Sequence, residues 1–324
     1  MPHLSDVSLQ RFFVIGSFVQ AHCWTVSKLP GCDESQQATE YIHEHAGKGL
    51  AVALGAHRLG AQVDLLMAVG SDAAGHAVLH QLTQEGLATA HIHRLGTYSG
   101  QGCGLISKEN QTSVSVFPGA NALLATEQLQ QAIPLLKKAA VIYAQLEVPQ
   151  DLVSQAFSCA RRWGVTTILN PSPWPTTICD GLLACTQILI VNQCEARALL
   201  LTLGLLTQKP LDTLPAPLLQ QLWRNWPGQW LVITLGQHGV VAYSRDNAVL
   251  RLHGHTVQAI QPIGAGDAFS AGLCACLAQN LSMAQALAIA NACGALAASR
   301  KGILTSLPHK TEVNTFLSQA HPQK

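Results

Sequence analysis

Gly264-Ala265-Gly266-Asp267-Ala268-Phe269-Ser270-Ala271-Gly272-Leu273 is a turn of small residues that runs directly into an apolar helix. Glycine lets a backbone approach a ligand closely, and a helix start presents unpaired N–H groups with a partial positive charge. That combination suits a phosphate group. Asp267 stands beside those amides, placed to take a proton from a nucleophile. An anion cradle with an adjacent base is what phosphoryl transfer needs. The plainer reading is an ordinary turn with a carboxylate at a helix start, so the rest of the chain must decide.

Upstream of this turn, apolar runs alternate with helical segments. The pattern predicts strands over 12–16, 62–69, 141–146, 165–169, 188–191 and 230–235, and helices over 47–59, 74–85 and 150–163. Such alternation implies βαβ units: an α/β fold with a mainly parallel sheet and helices on both faces. In sheets of this kind, ligands sit outside the carboxyl ends of the strands. Gly16, Asn170, Asn192 and Gly236 are expected just past such ends. Two stretches break the alternation. Residues 17–46 hold no convincing helix, and 97–118 read as a hairpin of strands 102–107 and 112–117. A small β-sheet beside the strand ends would be a lid that excludes water. The expected division is a core of 1–16, 47–96 and 119–324, and a lid of 17–46 and 97–118.

Composition narrows the function class. Of 324 residues, 48% are hydrophobic and 11% charged, and the formal net charge is +1. The chain has a large core and no global field for nucleic acid or an anionic membrane. No apolar run approaches the ~18 residues of a membrane span. Met1 to Gln10 is polar, without a signal-peptide pattern, so a cytoplasmic protein is expected. The ten cysteines are scattered, mostly in apolar runs, with no C-x-x-C pair. Free core thiols in a reducing compartment are expected. His43-Glu44-His45 and His91-Ile92-His93 each put two imidazoles on one strand face, but no third metal ligand is evident. Solvent-exposed strand histidines are the better reading.

Taken in order, these residues resemble the ribokinase-like carbohydrate kinases, the PfkB family, over nearly the whole chain. Val14-Ile15-Gly16-Ser17 looks like the family's opening strand. Ala46-Gly47-Lys48-Gly49 resembles its G-G-K-G turn, and Pro118-Gly119-Ala120-Asn121 the end of its lid hairpin. Gln145-Leu146-Glu147, Asn170-Pro171 and Asn192-Gln193-Cys194-Glu195 resemble its mid-chain motifs. Thr234-Leu235-Gly236-Gln237-His238-Gly239 is similar to its nucleotide-contacting T-x-G-x-x-G, and the Gly264–Asp267 turn to its final D-T-x-G-A-G-D signature.

The resemblance implies a three-layer α/β/α domain with a β-sheet lid. It implies ATP-dependent phosphorylation of a hydroxymethyl group on a small carbohydrate or sugar-like acceptor, with Mg²⁺. In that frame Asp267 is the general base, and the Gly264, Ala265 and Gly266 turn is the anion cradle. Asn192 and Glu195 would organise phosphates and hold magnesium, Glu195 through water. Thr234 and Gly236 would lie against the nucleotide, Gly239 would allow close approach, and Asn291 would stand near the adenine. Gly47, Lys48 and Gly49 would touch the acceptor, joined by Glu147, Val19 and Ala21. Plainer roles compete: a capping box at Asn192-x-x-Glu195, a strand–turn–strand at 234–239, a buried polar helix residue at Asn291 and a surface Lys48. The resemblance also implies a homodimer formed through the lid.

Departures from the family pattern matter as much. Positions where ribokinases carry sugar-binding Asn, Asp and Asn are matched by Val19, Ala21 and Ala51. A lost hydrogen bond to a charged group is worth roughly 1.5–3 kcal/mol, which argues against ribose as acceptor. Gln20, His22, Gln101 and Glu147 remain as candidate polar contacts. Gln261 replaces the Asp that in many relatives helps hold a monovalent cation, so potassium activation should be weak or absent. Two rival readings stay open: a nucleoside kinase of the same fold, and a non-catalytic protein that binds a nucleotide or metabolite.

Overall fold

The computed structural model describes residues 10–320 apart from 108, 110, 206 and 262. The first half runs β1 (Arg11–Ile15), β2 (Val19–Val26), β3 (Glu40–Ala46), α1 (Lys48–Arg58), β4 (Gln62–Val69), α2 (Ala73–Gln84), β5 (Ile92–Arg94), β6 (Gly100–Ser107), β7 (Thr112–Phe117), α3 (Thr126–Leu136) and β8 (Ala139–Gln145). The second half runs α4 (Gln150–Arg162), β9 (Thr166–Asn170), α5 (Asp180–Ala184), β10 (Ile188–Asn192), α6 (Gln193–Thr202), α7 (Ala216–Asn225), β11 (Trp230–Thr234), β12 (Val240–Ser244), β13 (Val249–Leu252), α8 (Ala265–Ala278), α9 (Met283–Ala298) and α10 (Lys310–Ala320).

Nine strands form one sheet in the order β13-β12-β11-β10-β9-β8-β1-β4-β5. Pairing is parallel from β5 through β11, and antiparallel only at the β11–β12–β13 edge. The central strands are apolar throughout because both of their faces are covered. On β1, Phe12 and Val14 enter the core shared with α1, α8 and α9, whereas Phe13 and Ile15 enter the core under α3, α4 and α6. This makes three layers, α/β/α. Every strand and helix expected from periodicity is present, with ends shifted by a residue or two. Asn170 and Asn192 close their strands rather than follow them. The antiparallel edge and the later helices carry weaker signals, and pattern reading did not find their bounds.

The second sheet has the order β3-β2-β6-β7. Its central pair, β2 and β6, is parallel, and the outer pairs are antiparallel. Side chains alternate across it. Val19, Ala21 and Cys23 are buried on one face, and His22 and Trp24 lie on the other, stacked on His43 and Tyr41 with centroids 4.7 and 5.5 Å apart. Asn121, buried after β7, holds the base of this sheet. Its Oδ1 accepts from Phe18 N at 2.9 Å, and its Nδ2 donates to Phe18 O at 2.7 Å.

Two expectations need correction. Only Cys23, Cys274, Cys276 and Cys293 are buried; all ten cysteines are free, but Cys32, Cys103 and Cys194 are exposed. His91 and His93 are not solvent-exposed: both are half-buried, and burial lowers the His93 pKa. His45 is also half-buried, bonded to Gln81 at 2.6 Å. Gln81 of α2 reaches His45, a tertiary effect invisible to alternation.

Asn121→Ala should destabilise the protein by about 2–4 kcal/mol, because both Phe18 backbone groups are left buried without partners. Denaturant titration measures this; an unchanged midpoint would show that the staple carries no energy.

Candidate active site

Strands β1 and β8 pack on α8, and Asp267 in its first turn interacts with Glu147, just past β8, and with Glu195, in the first turn of α6 after β10. Gly264 is the N-cap of that helix, at φ +86°, and no side chain caps it. Among the described residues, no partner closes on the amides of Ala265, Gly266 or Asp267. Three donors therefore stand free at the positive end of a 14-residue helix. Side chains cap α2 (Asp72) and α9 (Ser282), whereas α1, α4 and α7, like α8, have no capping side chain.

Asp267 shares its surroundings with Lys48, Glu147 and Glu195. It retains some solvent contact at the cleft floor but is enclosed by protein. Burial raises its carboxyl; Lys48 pulls the other way, Glu147 and Glu195 push further up, and the result is about 6. Burial alone would lower the Lys48 pKa, but the charges of Asp267, Glu147 and Glu195 hold it above its ordinary value. Lys48 is half-buried rather than fully exposed, and its charge interacts with those of Asp267, Glu147 and Glu195. Near neutral pH the cluster holds more negative than positive charge.

A hydrogen-bond network fixes these groups. Ser17, fully buried just past β1, donates from Oγ to Glu147 Oε2 at 2.5 Å, and the same oxygen accepts from Lys48 N at 3.0 Å. Gln145 Nε2 donates to Ser17 Oγ at 3.1 Å, and Gln145 Oε1 accepts from Glu147 N at 2.8 Å. Gly47, at φ +118°, is the N-cap of α1, and Lys48 and Gly49 form its first turn. At Gly49 a Cβ would fall 2.2 Å from Gly16 Cα, so only glycine lets helix and strand meet there. Sequence reading gave Glu147 a role and quoted Ser17 and Gln145 within motifs without assigning them one. Their signal was present: polar residues at the ends of apolar strands.

Asn192 and Glu195 form a capping box: Asn192 Oδ1 accepts from Glu195 N, and Glu195 Oε2 accepts from Asn192 N, both at 2.9 Å. The plain reading is therefore correct and leaves one buried carboxylate oxygen free of that box. No group of three or more His, Cys, Asp or Glu among the described residues could hold a metal directly. The donor set fits a magnesium ion that keeps most of its waters, set against the surplus negative charge of Glu147, Glu195 and Asp267. Thr234 ends β11, its Oγ1 donating to Val191 O at 3.4 Å. Gly236 begins a 3₁₀ turn, and Gly239 ends it at φ +96°. A Cβ on Gly239 would lie 2.1 Å from Leu252 O. Asn291, half-buried on α9, donates from Nδ2 to His253 O at 2.7 Å.

Several acceptor candidates lie elsewhere. Gln20, His22 and Gln101 occupy the lid face opposite Val19 and Ala21, and Gln20 Nε2 donates to Glu44 O. They cannot join Val19 and Ala21 around one ligand, because strand side chains alternate. Ala51 has no exposed surface and belongs to the core beneath α1. Val19 and Ala21 are buried, 5% and 6% exposed, so this lid face offers no side-chain donor there. Gln261 accepts from Gly302 N through Oε1 at 3.0 Å, which commits its carbonyl to the loop after α9.

The family model for pfkB family carbohydrate kinases matches residues 10–310. Ribokinase of Haemophilus influenzae is 29% identical over 308 residues, covering 95% of this chain and 98% of its own. Deoxyribokinase of Salmonella typhimurium is 27% identical over 310 residues, covering 94% of this chain and 98% of its own. Among solved structures, ribokinase from Giardia lamblia superposes with a TM-score of 0.86 at 20% identity, covering 96% of this chain and 99% of that one. Arabidopsis thaliana ribokinase, solved with ribose and ATP, superposes with a TM-score of 0.82 at 20% identity, covering 96% of this chain and 99% of that one.

A carboxyl raised from 3.8 to about 6 holds its proton more tightly in the folded state. Its ionisation therefore removes stability as pH rises from about 4 through 6. Asp267→Asn should melt at a higher temperature than the wild type at pH 8, with the gap closing toward pH 4. A gap independent of pH would contradict the raised carboxyl.

Proposed function

Because the chain belongs to the pfkB carbohydrate kinases and is a phosphotransferase with an alcohol acceptor, we propose that it moves the γ-phosphoryl of ATP to a hydroxymethyl group of a small sugar-like acceptor other than ribose. The observation that carries this reading is the open amide set of Ala265, Gly266 and Asp267, with a carboxylate of raised pKa at its edge. The transition state is loose and spreads charge over the phosphoryl oxygens, so preorganised donors matter more than a strong base. In this reading the amides take up that charge and Asp267 accepts the acceptor's proton. Lys48 adds positive charge across from Asp267, and Glu147 holds the Lys48 turn. Asn192 and Glu195 would hold magnesium through water; when bound, magnesium neutralises phosphate charge. Thr234, Gly236 and Gly239 would line the nucleotide, with Asn291 at the adenine end. The open cradle and intact Asp267 disfavour the binding-only alternative.

The lid supports the acceptor reading. In this reading Val19 and Ala21, both buried and apolar, stand where hydroxyl-binding groups would be needed for ribose. An acceptor with fewer hydroxyls suits that surface, and a nucleoside is the second reading it favours. Gln261 is neutral and engaged with Gly302, which supports a kinase without potassium activation. The other lid face carries exposed Tyr41 and Phe117, which supports a homodimer through the lid. Ten free cysteines suit a cytoplasmic setting.

A coupled ADP-release assay over sugars and nucleosides tests the reading. At least one deoxy- or base-bearing acceptor should turn over faster than ribose; ribose as the best acceptor would refute the specificity. With that acceptor, Asp267→Asn should lower kcat by about 10²–10⁴-fold with little change in ADP affinity. For the wild type, kcat/KM should fall below pH 6 with unit slope. Replacing NaCl by KCl should change the rate less than about twofold; a larger rise would mean that Gln261 does not abolish cation binding.

A further inference from the structure

Glu44 takes no part in the chemistry described above, yet it makes the densest set of contacts between lid and core. It lies on lid strand β3, opposite Ala21. Its Oε2 accepts from Ile303 N at 2.7 Å. Its Oε1 accepts from Leu304 N at 2.9 Å, Thr305 N at 3.1 Å and Thr305 Oγ1 at 3.1 Å. Three successive backbone amides and a hydroxyl thus converge on one lid carboxylate, a charge-assisted arrangement stronger than ordinary neutral bonds.

The loop that Glu44 grips runs behind the amide cradle. A Cβ on Gly264 would meet Ile303 O at 3.6 Å and Ile303 Cγ2 at 3.7 Å. The same loop is tied at Gly302 to Gln261, three residues before the cradle helix, and Arg58 of α1 donates to Leu304 O at 2.7 Å. One side chain therefore joins the small sheet to the loop that packs against Gly264. We propose that Glu44 is a positioning residue that couples lid closure to the geometry of the Gly264–Asp267 cradle through the 302–305 loop. This rests on the kinase reading for its purpose, though not for its mechanics. A lid displaced from the core would pull Glu44 from these amides and release the support behind Gly264, so the cradle would be set only under a closed lid.

Hydrogen exchange tests this in two arms, with Glu44→Gln and Glu44→Ala. In the free protein, both variants should exchange at least about tenfold faster in 303–305 and in β3, Ala more than Gln, while β8 to β11 stay unchanged. General loosening of the fold would speed all of these segments together and overturn the proposal; so would unchanged exchange in β3. In the second arm, ADP with magnesium should slow exchange in β3 of the wild type, which it does not touch, and not in the variants. Equal slowing of β3 in all three proteins would overturn the coupling. ADP that protects no segment of the wild type would refute the nucleotide reading, and the first arm would still judge the clamp.

Discussion

Three backbone amides at the start of α8, without a partner among the described residues, are what the account depends on. The start of α8 has no capping side chain, as α1, α4 and α7 have none; what sets it apart is the interaction of Asp267, in its first turn, with Lys48, Glu147 and Glu195. Gly264 turns the chain at φ +86° into α8, and among the described residues no protein group accepts from the amides of Ala265, Gly266 and Asp267. The unmet donors, the helix dipole and Lys48 together make a positive focus. The carboxylates of Asp267, Glu147 and Glu195 surround it, and their mutual repulsion and burial hold the Asp267 proton more tightly than usual. The site sets excess negative charge beside unpaired donors, which suits a phosphoryl group travelling with a divalent cation.

Everything around that focus serves to hold it still. Strand ends from β1 and β8 are laced by Ser17, Gln145 and Glu147, and one Glu147 oxygen anchors the Lys48 amide. The close approach at Gly49 locks α1 against the end of β1. Preorganisation of this kind lets donors act without reorganising during the reaction. The lid is attached by two separate staples, Asn121 at its base and Glu44 on its inner face. The first is structural; the second reaches the cradle.

Much of this was legible in the letters. Apolar runs at 12–16, 62–69, 141–146, 165–169, 188–191 and 230–235 became parallel strands, because strands buried on both faces must be continuously apolar. The lid hairpin was readable from its alternation, and Gly264–Asp267 from its glycines beside a carboxylate. Long-range pairings were not legible. Nothing local shows that Glu44 would meet residues 303–305, or that Ser17 would bridge Gln145 and Glu147. Gln20, His22 and Gln101 were polar near Val19 and Ala21, but that they lie on the opposite face of the small sheet shows only in its register. His91 and His93 looked exposed because the packing that half-buries them comes from elsewhere in the chain.

Amide NMR of the cradle tests the central claim most directly. On adding a non-hydrolysable ATP analogue with magnesium, the amide signals of Ala265, Gly266 and Asp267 should move to lower field and gain protection from exchange, more than any others outside the Thr234–Gly239 turn. If the analogue binds and these three signals stay where they were, the helix start is not the phosphate seat and the account fails.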